Sequence, residues 1–169
     1  MIAFDRQEAL RYLGYRNTEP DTAVADSLAR CAAELQAAVQ PKSVFAAFPL
    51  SHPAENIAAD RLIARASAVR MSDAVLYQAA AAAMIETYCD EVNDAIRQEA
   101  ESAGLYCRPR FSPGYGDFDI SHQRDLSRLL DTPRKIGLTV TESCLLAPIK
   151  SVTAVIGLSR TPQPCHRRG

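Results

Sequence analysis

The sequence predicts an α+β fold, a small and mostly antiparallel sheet flanked by helices, with one long central helix. Three observations carry this. Val75, Ala79, Ala82, Ile85, Cys89, Val92 and Ile96 keep spacings of three and four, which marks a helix packed along nearly its whole length. Three short β-compatible runs, Ser43–Phe48, Ile136–Thr141 and Ser151–Leu158, are set among helical stretches. Arg108–Phe118 concentrates arginines, prolines, glycines and aromatics that a plain helix or strand would not need. With 169 residues and 47% hydrophobic content, one domain over residues 1–169 is the expectation.

In chain order, Arg6–Leu13 reads as a short helix ended by Gly14. Thr18-Glu19-Pro20-Asp21 looks like the capped start of a second helix, whose buried face is Val24, Leu28, Cys31, Leu35 and Val39, down to Pro41. Ser43–Phe48, bounded by Pro41 and Pro49, reads as a strand, and Ser51-His52-Pro53 as loop with a solvated His52. Ala58–Ala68 is a helix of mixed polarity. Ser72 is placed to cap the long helix, which runs to Ala103 before Gly104. Its alanine run, Ala79–Ala83, allows close approach of a neighbour. Beside the apolar stripe lie Glu86, Asp90, Asn93 and Arg97, which read from spacing alone as a solvated face with i,i+4 pairing.

Ile120–Leu130 reads as a helix with Leu126, Leu129 and Leu130 inward, stopped by Asp131-Thr132-Pro133. Ile136, Leu138 and Val140 alternate with Gly137, Thr139 and Thr141, the pattern of a strand buried on one face. Ser151–Leu158 is apolar at nearly every position, an interior strand. The connection from Glu142 to Lys150 can sit beside the arginine stretch.

Composition excludes several classes. A net charge of −1, with only His166-Arg167-Arg168 as a basic cluster, gives no electrostatic case for nucleic acid. The longest strongly apolar run, Ala79–Ile85, falls far short of the ~20 residues a bilayer requires, and Met1–Leu10 lacks a signal-peptide pattern. Five cysteines without a Cys-x-x-Cys spacing argue against a disulfide scaffold or structural zinc and for a reducing cytoplasm. Cys31 and Cys89 fall on apolar stripes and read as core. No dinucleotide fingerprint, Walker lysine or Gly-x-Ser-x-Gly elbow is present.

Within Arg108–Phe118, Pro109 and Pro113 stiffen the chain, and Gly114 and Gly116 permit positive φ or close approach of a ligand. The expected result is a rigid loop with free backbone N–H groups, an outward Tyr115 and two guanidinium forks. Arg110 can grip a carboxylate in bidentate fashion, and a ring beside it can face a cationic atom, which suits a zwitterion with an added positive centre. The alternative is an ordinary Pro/Gly turn with solvated arginines.

Arg110-Phe111-Ser112-Pro113-Gly114-Tyr115, with Val140-Thr141-Glu142-Ser143 and Pro148-Ile149-Lys150-Ser151-Val152 downstream, resembles the activation domain of cobalamin-dependent methionine synthase, over about Asp73–Leu158. It is closer still to short stand-alone proteins related to that domain. The resemblance implies binding of S-adenosylmethionine (AdoMet): Arg110 holding its carboxylate, Glu86 its amino group, and the Gly114-Tyr115-Gly116 backbone its adenosyl part. Glu86 is placed by counting back from Asp94-Ala95-Ile96-Arg97. Glu142 and Ser143 would be site neighbours, with capping or turn duty as the equal alternative.

The resemblance further implies that cobalamin is carried by a partner, a cobalamin-dependent methionine synthase or corrinoid methyltransferase. An external donor such as flavodoxin would supply an electron to reactivate cob(II)alamin. This chain has no corrinoid-binding Asp-x-His-x-x-Gly signature of its own. It departs from its relatives in lacking a further strand and glycine turn before the long helix, and in stopping at Gly169 where they often continue into a cysteine-rich tail. Two rival readings stand: an interaction module capping a cobalamin domain without AdoMet, and a small-molecule carboxylate sensor.

Overall fold

A computed structural model describes residues 2–16, 18–40 and 58–162. The strand expected at Ser43–Phe48, His52 and Cys165 lie outside the described residues. Helix α1 (Arg6–Tyr12) is capped by Asp5, whose carboxylate accepts from the Glu8 N–H, and Gly14 follows at φ +91°. Helix α2 (Thr22–Ala38) starts at Asp21, which accepts from the Val24 N–H at 2.8 Å. The predicted face is inward: Leu28, Cys31 and Leu35 are fully buried, and Val24 and Val39 pack against them. Helix α3 (Ala58–Val69) follows.

The long helix α4 (Met71–Ser102) packs against α1, α2 and α3. Ser72 does not cap it. Arg70 holds the cap position without a side-chain bond, because a single extended residue separates α3 from α4 and that sharp corner sets the start. The apolar stripe also needs correcting in its first turns. Val75 is 52% exposed, while Ala74, Leu76, Tyr77, Ala80, Ala83 and Met84 are buried. Helices packed around this half bury a wide arc, and the alanines let them come close. Only from Ile85 onward does the predicted row face a cavity.

Strand β1 (Tyr106–Phe111) shows that the first third of the arginine stretch is sheet rather than loop. It pairs antiparallel with β4 (Val155–Ser159), with Phe111 opposite Val155 and Arg110 opposite Ile156. The register shifts between Cys107 and Arg110, around Pro109, which has no N–H to give the ladder. Between them lie α5 (His122–Leu130), α6 (Thr132–Ile136) and a small ladder of β2 (Thr139–Val140) with β3 (Leu146–Ala147). The sheet expected from sequence is thus two antiparallel ladders, and the α+β class holds.

Three local expectations fail here. Leu129 is 57% exposed, because the inward positions of α5 are Gln123, Leu126, Ser127 and Leu130, with Ser127 bonded to the buried Thr132 hydroxyl at 2.7 Å. A partly polar inner face is invisible to a hydrophobic count. Ile136 closes a helix instead of opening a strand, since Gly137 turns the chain at φ +67°. Ser151–Leu158 is not an interior strand: among the described residues β4 pairs with β1 alone, and Val155 and Leu158 are exposed. No helix among the described residues is long and apolar enough to cross a membrane.

Candidate functional site

Arg110 lies on the face of β1 turned toward α4. Its Nη2 donates to Glu86 Oε2 at 2.8 Å and its Nη1 to Asp90 Oδ1 at 2.9 Å. Glu86 and Asp90 are one turn apart on α4, so a single guanidinium spans both carboxylates. The Arg110 side chain is only 26% exposed, which rules out the solvated-arginine alternative for this residue. Sequence reasoning brought Arg110 and Glu86 together. It assigned Asp90 to a solvated face, yet Asp90 is the second partner, and its own side chain is 73% exposed.

Helix α1 supplies the facing wall. Asp5, Glu8, Arg11 and Tyr12 share with Glu86, Thr87 and Asp90 an open groove of about 450 Å³. Arg11 Nε donates to Glu8 Oε2 at 2.9 Å, and its guanidinium lies 4.9 Å from the Tyr12 ring centre. Arg11 holds the Glu8 carboxyl below the usual range. Burial first, then Glu86, pushes the Tyr12 phenol up, with Tyr115 also within electrostatic reach. Carboxylates outnumber cations in this groove. The sequence signal was weak: Asp5, Glu8 and Tyr12 share a helical face by spacing, but nothing local says that it meets Glu86.

The turn after β1 is held from within. Gly114 and Gly116 have φ of +95° and +58°, as the predicted turn requires. A Cβ on Gly114 would fall 2.9 Å from Ile120 Cδ1. The Gly114 N–H donates to the Phe118 carbonyl at 2.7 Å and the Tyr115 N–H to that of Ser112 at 3.3 Å. These two N–H groups are therefore not free, contrary to expectation, because the turn closes on itself. Phe111, Phe118 and His122 stack in series behind it, with ring centres 5.9 and 5.1 Å apart. Tyr115 is pushed outward as predicted, 70% exposed.

Glu142 and Ser143 sit in the β2–β3 turn, and their bonds go elsewhere than Arg110. The Thr141 and Ser143 hydroxyls lie 3.0 Å apart, Thr141 Oγ1 accepts from the Leu145 N–H at 3.0 Å, and Arg124 donates to the Glu142 carbonyl. This is the turn duty that stood as their alternative.

A second, mostly apolar cavity of about 170 Å³ also borders Arg110, with Cys89, Val92, Asn93, Leu126 and Ile156 in its wall. Burial pushes the Cys89 thiol up to about 11, with the Arg110 charge pulling the other way, and burial also raises Cys107. Neither is an activated nucleophile. The described residues contain no cluster of three possible metal ligands.

Among known proteins, no curated protein matches the chain. The family model for the activation domain of vitamin B12 dependent methionine synthase matches residues 55–163, a span that holds Glu86, Asp90, Arg110 and the glycine turn and leaves α1 and α2 outside. Since that match covers well over half of the 169 residues, the chain belongs to the family of the vitamin B12 dependent methionine synthase activation domain.

Proposed function

We propose that this protein binds AdoMet and supports reductive methylation of cob(II)alamin in a cobalamin-dependent methionine synthase or a related corrinoid methyltransferase. Family membership supports the cobalamin side of this reading. The observation that carries the AdoMet side is the Glu86–Arg110–Asp90 cluster, whose Arg110 stands on the strand that runs into the Gly114–Tyr115 turn.

The donor set fits the ligand. The amino-acid end of AdoMet bears a carboxylate, an ammonium and a sulfonium, and the cluster offers one guanidinium and two carboxylates. Both Nη atoms of Arg110 are engaged, so the ligand carboxylate takes Nη1 from the exposed Asp90, and Glu86 and Asp90 then accept from the ammonium. The stiff Gly114-Tyr115-Gly116 edge and the outward Tyr115 ring receive the adenosyl part, with two of the turn's N–H groups already spent inside it. An acidic groove beside the cluster suits a ligand of net positive charge.

Bound AdoMet supplies an electrophilic methyl group. The overall reaction joins that methyl and one electron, from a donor such as flavodoxin, to the partner's cob(II)alamin, giving methylcobalamin and S-adenosylhomocysteine. What this chain contributes is position: Arg110 and Glu86 fix the amino-acid end so that the methyl faces the partner's cobalt, a proximity effect worth several kcal/mol. The test combines the protein with a corrinoid methyltransferase lacking its own activation domain, AdoMet and a low-potential reductant. Corrinoid absorbance should show faster formation of methylcobalamin, abolished by Arg110→Ala; equal slow rates for both proteins would end the proposal.

A second reading, a module that caps a cobalamin domain without AdoMet, is favoured by one observation. The Arg110 fork is already satisfied by Glu86 and Asp90, so the loop is complete without a ligand. Calorimetric titration with AdoMet separates the two.

A further inference from the structure

We infer that Asp90 is a specificity-determining residue: it occupies the place on Arg110 that a ligand carboxylate takes, so the site favours ligands that return a cation to it. This inference rests on the AdoMet reading of the same cluster and adds a selection rule to it.

The two carboxylates on Arg110 are not equivalent. Glu86 lies between β1 and α1, within electrostatic reach of Arg11 and Tyr12. Asp90 is bonded to Nη1 at 2.9 Å but has nearly three-quarters of its side chain in solvent. An ion pair so exposed is held weakly, and Asp90 is the partner that yields to an incoming carboxylate. Once displaced it remains one turn from Glu86, and the cluster keeps one negative charge in excess.

Charge balance then ranks the ligands. A lone carboxylate raises the excess and is disfavoured. S-adenosylhomocysteine brings a carboxylate and an ammonium and leaves the excess unchanged. AdoMet adds a sulfonium, and the excess is cancelled. Asp90 thus makes the site prefer the methyl donor over its demethylated product, which differs in size by only one methyl group.

The experiment is calorimetric titration of the full chain with AdoMet and with S-adenosylhomocysteine, for wild type, Asp90→Asn and Glu91→Gln. Glu91→Gln removes the same charge one residue along the same helix, at a residue that is also exposed. Wild type should prefer AdoMet by roughly tenfold, the scale of one unit charge a few ångströms away in a partly solvated site. Asp90→Asn should cut that preference by about 3- to 10-fold and bind S-adenosylhomocysteine more tightly, while Glu91→Gln leaves both constants nearly unchanged. The wild-type preference should also shrink as salt is raised.

AdoMet binding with the same selectivity in wild type and Asp90→Asn overturns the inference and leaves the AdoMet reading intact. Equal shifts in Asp90→Asn and Glu91→Gln overturn it too, because a general charge effect would then suffice. No AdoMet binding by the wild type removes the AdoMet reading and the inference together.

Discussion

Replacing Arg110 by alanine removes the cation bonded to both Glu86 and Asp90 and, on the proposed reading, to the ligand carboxylate. Truncating one partner of a buried charge pair costs about 2–5 kcal/mol in binding. Two features move the expectation to the low end. The guanidinium is 26% exposed and Asp90 largely so, which screens the interaction. In the variant the unpaired carboxylates also attract the ligand's ammonium more strongly, which offsets part of the loss. The expected net effect is about 2 kcal/mol, or roughly 30-fold in the AdoMet Kd by calorimetry. Arg110→Lys should recover less than half of this, since a single ammonium cannot span two partners as the fork does. Thermal melts must show both variants folded, with a loss of about 1 kcal/mol or less from untying β1 and α4. Affinities within threefold of wild type for both variants would refute the argument and return the cluster to a structural role.

Other outcomes follow from the fold and the turn. Burial, with the bond to Glu34, pushes the Tyr77 phenol from 10.0 up to about 12. The folded state then keeps a proton that the unfolded chain releases, so this contribution to stability is full below about pH 10 and is lost as pH rises toward about 12. Tyr77→Phe should flatten that part of the alkaline stability profile, and an unchanged slope would count against the assignment. Gly114→Ala meets both an unfavourable φ and Ile120, whereas Gly104→Ala at φ +70° meets open space. In urea unfolding the first should cost roughly 2–3 kcal/mol and the second about 1 kcal/mol; equal costs would mean that Ile120 simply moves aside. A Cys107→Ser, Cys144→Ser double variant should keep AdoMet affinity within roughly tenfold, because burial raises Cys107 rather than activating it. Complete loss of calorimetric binding in a folded double variant would place the chemistry at those thiols.

The legible parts of this chain were those where a local rule and the packing agree. Asp21 caps α2 and Leu28, Cys31 and Leu35 face inward because capping and periodicity act within a few residues. Glycines at positive φ are likewise a local matter, so the turn at Gly114 was foreseeable. Long-range arrangement was less so. Whether Ser151–Leu158 lies inside or at the margin of a sheet depends on which strands flank it, and its own residues do not say. The inner face of α5 carries Gln123 and Ser127, so counting apolar side chains brought Leu129 inward in error. At the candidate site, Arg110 was singled out from its own stretch of sequence and Glu86 through resemblance. Asp90 and the α1 wall were not, because both are set by how α4 packs against elements far away in sequence.

The 32 residues of α4 make a rod roughly 48 Å long. Its first half is clamped among α1, α2 and α3, and its later turns carry β1 and the wall of the apolar cavity. Glu86 and Asp90 fall where the clamped part ends, so they sit at the fulcrum. A stiff rod passes a tilt from one end to the other with little loss. Helices α1 and α2, which lie outside the family match, therefore bear on the half of the rod that ends at the carboxylates bonded to Arg110. The segment that precedes the matched domain is in mechanical series with the Arg110 ion-pair cluster.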